Sequence, residues 1–217
     1  MPMAGRASAS WGPGIYFMNV QANQTLAAAV WPAQDMSGTQ KLIRFVALAI
    51  AGTLALNLSA KLQVPLPVVP LTLQTLVVLV LGASFGLRLS LASVSLYLLE
   101  GLVNLPVFAG TPEKGIGLPY MMGPTGGFLA GFLVAAAFIG FCAERGWDKT
   151  WWKLLAVMSV GHALIFTLGF AWLAKLIGPQ KAFDLGVEPF LAATLIKTLL
   201  ATAIVPGLWK LAGSLRG

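Results

Sequence analysis

Charged side chains are scarce in this sequence, and that scarcity decides the class of protein. Only 10% of the 217 residues are Asp, Glu, Lys or Arg, whereas 58% are hydrophobic. A soluble domain carries about 25% charged residues, because polar side chains must cover its surface. The composition therefore excludes an ordinary soluble domain. It predicts an all-α polytopic membrane protein, since the alternating strands of about ten residues that a transmembrane barrel needs are missing as well.

Cysteine and histidine occur once each, as Cys142 and His162. A single cysteine excludes an internal disulfide framework, and the two residues together are too few for a His/Cys metal set. We therefore expect neither a metal nor another cofactor. Ser, His and Asp occur without the spacing of a hydrolase motif. We predict a protein that is not an enzyme, because the alternative, an intramembrane enzyme built on Glu100 and His162, lacks any nucleophile motif.

Acidic residues are half as numerous as basic ones, 7 against 14, which gives a net charge of +7. In a membrane protein such an excess is typical of cytoplasmic loops enriched in Lys and Arg, so no nucleic-acid partner is expected. Long uncharged runs separate the charges, and a helix needs roughly 20 apolar residues to cross a bilayer. These runs cover residues 45–60, 62–87, 115–143 and 154–174.

Six transmembrane helices fit the sequence after residue 40. We place them at residues 42–61, 71–87, 89–104, 123–144, 151–176 and 189–212. The second and third are short for a full crossing, which predicts tilt, breaks or burial within the protein. Residues 1–40 are richer in Gly, Pro, Ser, Asn and Gln. We expect them to form a tail, mobile or lying on the surface, before a six-helix membrane domain at residues 41–217.

The basic residues also indicate how these helices are oriented. With both termini in the cytoplasm, nine basic residues fall in cytoplasmic segments and four in outer ones, with Lys197 inside the sixth helix. Because Lys and Arg are enriched on the cytoplasmic side, an N-in/C-in arrangement is predicted.

Two long loops then lie on the outer side, at residues 63–75 and 104–124. The first contains Pro65, Pro67 and Pro70. Proline fixes φ and cannot donate a backbone hydrogen bond, so this loop is expected to be stiff and extended. Irregular backbone near membrane depth is tolerated only where protein or an aqueous cavity covers it. The two loops therefore predict a capped cavity that opens to the exterior.

Small residues recur every four positions on three of the predicted helices. This spacing places them on one helix face, and small side chains let membrane helices approach closely. Packing within the bundle explains such faces, and the alternative is that one of them docks a partner membrane subunit. Our candidate for that interface is the first helix. The three faces are Ala47, Ala51, Ala55 and Ser59; Gly127, Gly131 and Ala135; and Ser159, Ala163, Thr167 and Ala171.

Glu100 and Lys197 are charged residues within predicted spans, where ionisable groups are costly and usually face a cavity or a partner. Two polar stripes contain them, and we expect these stripes to form the walls of one pocket. The alternative is a buried Glu–Lys pair that sets helix register, although such pairs often bring no net stability. The stripes are Ser93, Tyr97, Glu100 and Asn104 on the third helix, and Thr194, Lys197 and Thr198 on the sixth.

The glycine-rich stretch at residues 123–132, GPTGGFLAGF, is not a phosphate-binding loop. That motif requires Lys and Ser/Thr directly after its last glycine, and Phe132 and Leu133 occupy those positions. No other ATP site is visible, so transport driven by ATP would need additional subunits. The glycines instead fit a turn that leads into the fourth helix, followed by a smooth face for close packing.

Three segments together resemble the signature segments of the BioY family. They are VPLPVVPLTLQTLVVLVLG at residues 64–82, YLLEGLVNLPVFAG at 97–110 and MGPTGGFLAGF at 122–132. That family comprises biotin-binding membrane proteins, the substrate-capture (S) components of energy-coupling factor (ECF) transporters. The resemblance extends over about residues 40–212 and implies six helices, with biotin near the external face under the loop that joins the first two.

The resemblance also implies a location and partners. The location is the bacterial cytoplasmic membrane, and the partners are a transmembrane coupling subunit and two cytoplasmic ATPases, or further copies of the same chain if the protein acts alone. The family often has an Asp-x-x-Lys pair on the sixth helix; Lys197 matches the lysine, whereas Thr194 stands in place of the acid. Glu100 is then a candidate for the missing carboxylate.

Biotin has a carboxylate, a ureido ring and an apolar thioether ring, so its pocket should be mostly apolar with a few placed polar groups. We expect Lys197 or Lys114 to meet the carboxylate. The alternatives to biotin uptake are an S component for another vitamin or small carboxylate, and a proton-coupled carrier that uses Glu100. The candidates for the ureido group are Glu100, Asn104, Thr194 and Gln74, and those for packing on the ring are Tyr97, Phe108 and Tyr120.

Overall fold

The computed structural model describes residues 24–214, and within that range it is helical apart from one two-stranded hairpin. The part of the tail prediction that concerns residues 1–23 lies outside the described residues. Short 3-10 turns occur at Trp147–Lys149 and Glu188–Phe190. The elements are α1 Leu26–Val30, α2 Gly38–Lys61, β1 Gln63–Val64, β2 Leu71–Thr72, α3 Gln74–Phe85, α4 Leu87–Leu102, α5 Gly117–Met121, α6 Gly126–Ala143, α7 Trp151–Ile177, α8 Pro179–Gly186 and α9 Leu191–Ser214.

Within residues 24–214, four helical segments are long and apolar enough to cross a membrane. They are α2, α6, α7 and the segment Pro179–Ser214, which includes α9. Helices α3 and α4 occupy the second and third predicted positions, but with 12 and 16 residues they are shorter than the other four. The prediction of a helical membrane protein is confirmed, and so is the shortness of these two helices.

Helix α2 begins four residues earlier than its predicted start because a capping box precedes it. The Ser37 hydroxyl accepts a hydrogen bond from the backbone N–H of Gln40, and the Gln40 side chain accepts one from the backbone N–H of Ser37. These two contacts satisfy backbone donors that a helix N-terminus otherwise leaves without partners. The helix can therefore start at Gly38.

Helix α3 begins three residues later than predicted because the chain before it is a strand. Strands β1 and β2 pair in antiparallel register, with Gln63 opposite Thr72 and Val64 opposite Leu71. The proline-rich residues between them form the tip of this hairpin. The prediction of an extended loop is thus realised as a hairpin, which lies at the same end of the bundle as the 103–116 loop. We call this the hairpin end.

Close helix packing in the core depends on glycines at helix crossings. A Cβ atom added to Gly131 of α6 would lie 2.8 Å from the Cα atom of Ile165 on α7, and one on Gly127 would lie 2.3 Å from the Cβ atom of Trp172. The small-residue face of α6 therefore packs within the bundle, as the simpler interpretation of the spacing predicted. By contrast, Ser159, Ala163, Thr167 and Ala171 of α7 are all exposed.

Helix α1 packs against α3 and α9 at the opposite end of the bundle, with Leu26, Ala27 and Ala29 buried. Two hydrogen bonds from Arg44 of α2 hold α1 in position. The Arg44 Nε donates to the backbone oxygen of Trp31 over 2.7 Å, and its Nη2 donates to that of Ala27 over 2.8 Å. These contacts fold part of the chain before residue 40 onto the helical bundle.

Candidate functional site

A cavity of about 50 Å³ lies at the hairpin end, where α3, α6, α7 and α9 meet the hairpin and the loop before α5. Its walls are mainly apolar and aromatic. The polar side chains along it belong to the start of α3, to Tyr120 and Thr125, and to α9. The lining residues are Val69, Pro70, Thr72, Gln74, Thr75, Phe108, Ala109, Tyr120, Thr125, Phe128, Leu129, Phe132, Phe166, Phe190 and Lys197.

Lys197 is the one charged side chain among the described residues that line this cavity. Helix α9 holds it with only 6% of its surface exposed. Its Nζ donates to the backbone oxygen of Thr72 over 2.6 Å and to the hydroxyl of Thr75 over 3.3 Å. The start of α3 therefore orients this ammonium group, and the cavity carries a local positive charge.

Gln74 and Tyr97 form a buried hydrogen-bonded chain beside the cavity. The Gln74 amide Nε2 donates to the Tyr97 hydroxyl over 2.6 Å, and that hydroxyl donates to the backbone oxygen of Val107 over 3.1 Å. Gln74 lines the cavity, whereas Tyr97 lies behind it and is completely buried. These two hydrogen bonds link α3, α4 and the 103–116 loop.

Aromatic contacts hold the same loop against the bundle. Phe108 stacks on Tyr120 with ring centroids 4.9 Å apart, and it meets the Tyr97 ring edge-on at 5.3 Å. The Tyr120 hydroxyl donates to the backbone oxygen of Ala109 over 2.8 Å. Burial raises the pKa of the Tyr120 phenol above its ordinary value, so this side chain remains a neutral hydrogen-bond donor at neutral pH.

Glu100 lies elsewhere, at the contact between α4 and α2. Its Oε2 accepts a hydrogen bond from the Thr53 hydroxyl over 2.6 Å, and it does not line the cavity. The structure does not bring Glu100 and Lys197 together, because Lys197 contacts α3 while Glu100 faces α2. Ser93 of the same stripe also faces α2, since a Cβ atom added to Gly52 would overlap it.

Three other candidate residues also lie outside the cavity wall. Asn104 is exposed just beyond α4, in a left-handed conformation with φ of 68° that asparagine tolerates well. Lys114 is exposed, with its Nζ 3.4 Å from the backbone oxygen of Leu66 in the hairpin. Thr194 lines a separate groove between α7 and α9. Of the predicted binding residues, Gln74, Phe108, Tyr120 and Lys197 line the cavity.

Several lining residues were not among the predicted binding residues. Thr72 and Thr75 flank Gln74 at the start of α3, and Phe128, Phe132, Phe166 and Phe190 supply most of the apolar wall. The spacing of four between Phe128 and Phe132 places both on one face of α6. In a helix that is apolar on every side, that spacing does not distinguish a ligand wall from ordinary core packing.

The candidate interface face of α2 is only partly open. Ala47 and Ala51 are exposed, Ala55 is half-buried, and Ser59 is buried with its hydroxyl bonded to the backbone oxygen of Leu56. Large apolar side chains beside the first two are exposed as well: Leu42, Ile43, Val46, Ile50 and Leu54. The start and middle of α2 thus present an apolar surface with small residues at its centre.

These features define a helical membrane protein with an internal, aromatic-walled cavity that contains one buried cation. The sequence model of the BioY family matches residues 20–214, and the chain belongs to that family. The biotin transporter BioY of Thermotoga maritima is 35% identical over 168 residues, which are 77% of this chain and 92% of that protein. The biotin transporter BioY2 of Lactococcus lactis is 34% identical over 164 residues, 75% of this chain and 87% of that protein.

A solved structure has the same fold. It is the S-component for biotin from an ECF-type ABC transporter, with a TM-score of 0.70 and 24% sequence identity. The match covers 81% of this chain and 95% of that chain. The relatives are named as transporters, which is not a class of enzyme.

Proposed function

We propose that this protein captures biotin at the external face of a bacterial cytoplasmic membrane and serves as the S component of an ECF transporter. The observation that carries the proposal is the buried ammonium of Lys197, the one charged group among the described lining residues, in a mainly apolar and aromatic cavity. Biotin is a small carboxylate with a bulky apolar body, and it complements such a cavity in both charge and polarity. The family membership, and the relatives that are named biotin transporters, support the same ligand.

Within this proposal the cavity residues divide by chemistry. Lys197 receives the carboxylate, because a charge-assisted hydrogen bond to an ammonium is stronger than a neutral one. Gln74 addresses the ureido ring, since its amide both donates and accepts hydrogen bonds, and Tyr97 orients that amide. Phe108 and Tyr120 pack against the bicyclic ring. Asn104, Lys114, Thr194 and Glu100 do not line the cavity, and we assign them no direct ligand contact.

Ligand entry requires movement at the hairpin end. The cavity of about 50 Å³ is far smaller than ligand pockets, which measure about 300–1,000 Å³. Its covers are the hairpin and the 103–116 loop, whereas its floor is built from packed helices. We infer that the hairpin end faces the exterior and that these two covers separate to admit biotin.

The proposed topology has six crossings with both termini inside. Helices α3 and α4 are the two short crossings, joined at Gly86 with φ of 78°. The excess of basic residues at the opposite end supports this orientation. The exposed face of α2 around Ala47 and Ala51 is our proposed contact for the coupling subunit, which joins this protein to two cytoplasmic ATPases.

Equilibrium binding to the purified protein in lipid nanodiscs tests the function. We expect saturable binding of labelled biotin that unlabelled biotin abolishes and that thiamine and riboflavin leave unchanged. Biotin amide, which lacks the charged carboxylate, should compete much more weakly than biotin. Absence of saturable biotin binding, or equal competition by another vitamin, contradicts the proposal.

A further inference from the structure

The ammonium group of Lys61, the last residue of α2, is surrounded by four oxygen atoms. Its Nζ lies 2.6 Å from the backbone oxygen of Pro106, 3.0 Å from that of Phe108 and 3.2 Å from that of Thr111. The Thr111 hydroxyl oxygen is 3.1 Å away. Four acceptors thus surround an ammonium group that has only three N–H donors.

All four acceptors belong to residues 106–111, a short segment of the 103–116 loop. The same segment supplies Phe108 and Ala109 to the cavity wall. Within it, the Thr111 hydroxyl donates to the backbone oxygen of Phe108 over 2.7 Å, so the chain is curved around the lysine. Lys61 therefore holds the piece of backbone that covers the cavity.

The contact joins parts of the chain that are far apart in sequence. Lys61 reaches the segment across 45 to 50 positions. It also directly precedes the hairpin, since Leu62 accepts a hydrogen bond from the backbone N–H of Leu73 over 3.2 Å. Both covers of the cavity are thus attached at the same end of α2.

The strength of this attachment lies in its charge. Hydrogen bonds from an ammonium group are roughly twice as strong as neutral ones. The other side-chain contacts to residues 106–111 are neutral, namely those from Tyr97 to Val107 and from Tyr120 to Ala109. Loss of the Lys61 ammonium would remove its hydrogen bonds to the backbone oxygens of Pro106 and Thr111, while the Phe108 oxygen would keep the Thr111 hydroxyl as a donor. The segment would then be free of α2.

We propose that Lys61 is a positioning residue that clamps residues 106–111 over the ligand cavity and thereby sets how fast ligand leaves. This inference rests on the proposed function, because it takes biotin as the ligand under the clamp. Lys61 itself does not line the cavity, so its effect on the ligand is exerted through the backbone that it holds.

Substitution Lys61→Met, which keeps the length of the side chain and removes its charge, tests the clamp in lipid nanodiscs. The readout is the dissociation of labelled biotin during a chase with unlabelled biotin. We expect dissociation to become about tenfold faster, because the covers that retain the ligand separate more readily. Association requires the same opening and should therefore not become slower. Lys175→Met, at an exposed lysine at the end of α7, is the matched control and should leave both rates unchanged.

Substitution Thr111→Val provides a second, milder variant. It removes one of the four acceptors and keeps the volume of the side chain. We therefore expect its dissociation rate to lie between the rates of Lys175→Met and Lys61→Met. Hydrogen exchange of the ligand-free proteins gives an independent measure. The amides of residues 103–116 should exchange faster in Lys61→Met, while those of α6 and α7 remain as protected as before.

Unchanged dissociation together with unchanged exchange in Lys61→Met overturns the clamp, as does faster exchange throughout the bundle, which would mean general destabilisation. If the wild-type protein binds no biotin, the proposed function fails. Hydrogen exchange then decides on the clamp alone: unchanged protection of residues 103–116 refutes it, and selective loss of protection sustains it.

Discussion

The ammonium nitrogen of Lys197 lies 2.6 Å from the backbone oxygen of Thr72, and this contact joins α9 to strand β2 across 125 positions of sequence. A second donor of the same group is used by the Thr75 hydroxyl. An ammonium group has three donors, so one remains for a ligand oxygen. Binding of a carboxylate here is therefore coupled to the position of the hairpin that covers the cavity.

Replacement of Lys197 by methionine should weaken biotin binding by about 10- to 100-fold, because a hydrogen bond to a charged group contributes roughly 1.5–3 kcal/mol. Isothermal titration of the purified variant measures the dissociation constant. Lys181→Met, at an exposed lysine of α8, is the control and should bind as the wild type does. Equal affinity of Lys197→Met and the wild type would remove the basis for the proposed pose.

Glu100→Gln separates the binding role of this residue from a structural one. Since Glu100 contacts Thr53 and does not line the cavity, we expect biotin affinity to change by less than about threefold, which corresponds to roughly 0.7 kcal/mol. Uptake of labelled biotin should also be retained. A loss of uptake with binding intact would instead favour the proton-coupled carrier.

The packing of α6 on α7 predicts a sharp difference between two glycines. Gly131→Ala places a methyl group 2.8 Å from the Ile165 Cα atom, and such overpacking typically costs about 1–3 kcal/mol. Gly207→Ala in α9 meets nothing within 4 Å and should be neutral or stabilising. Thermal unfolding in detergent compares the two, and equal melting temperatures would show that the α6–α7 contact is looser than described.

The exposed face of α2 predicts a selective loss of assembly. Ala47→Trp together with Ala51→Trp should prevent co-purification with the coupling subunit and the ATPases, because the bulky rings hold a partner helix away. Biotin binding by the isolated variant should be retained. Ala203→Trp, at an exposed position of α9, is the control. Intact assembly of the double variant would place the partner on another face.

Asp148, in the turn between α6 and α7, predicts a pH effect on stability. Its Oδ2 accepts a hydrogen bond from the Trp209 indole over 2.8 Å, and the residue is 3% exposed. Burial raises the pKa of this carboxyl above 3.8, although Trp209 and the Lys149 charge lower it. Because the folded state then holds the proton more tightly than the unfolded state, this residue's contribution to stability falls as pH rises from 3.8 through the raised pKa.

Substitution Asp148→Asn removes this titration and keeps an oxygen acceptor for Trp209. Between about pH 4 and neutrality, we expect the melting temperature of the wild type to fall more than that of the variant. Melting curves across that range measure it, with Asp35→Asn at an exposed site as the control. This account would be contradicted if the melting temperatures of the wild type and of Asp148→Asn changed with pH by the same amount.

Helix positions were largely readable from the sequence. The structure has a helix at each of the six predicted places, four of which coincide with the uncharged runs, and three prolines marked the loop that became the hairpin. The early start of α2 was also readable, because Ser37 and Gln40 have the spacing of a capping box. The later start of α3 was not readable from the sequence. Leu71 and Thr72 are uncharged, like the helix that follows, and they form a strand only because they pair with residues 63 and 64.

Some of the cavity lining was named from the sequence. Gln74, Phe108, Tyr120 and Lys197 line the cavity; the charge of Lys197 in an apolar chain marked it, and the family resemblance brought in the others. The pairing of Glu100 with Lys197 could not be tested from spacing, because a stripe on one helix does not say which neighbour it faces. Gly52 admits α4 close to α2, and that approach directs Glu100 to Thr53.

Composition and charge thus determined by themselves that this is a helical membrane protein, and they singled out Lys197 inside a long apolar segment, because the bilayer tolerates so few charges that each one is conspicuous. The tertiary structure decided the partners: Thr72 for Lys197, Thr53 for Glu100 and the 106–111 backbone for Lys61. The physical reason is that helices apolar on every side carry little periodic signal of their neighbours. Which groups meet is decided by the close approach of helices at glycines and by the loops that fold back over the bundle.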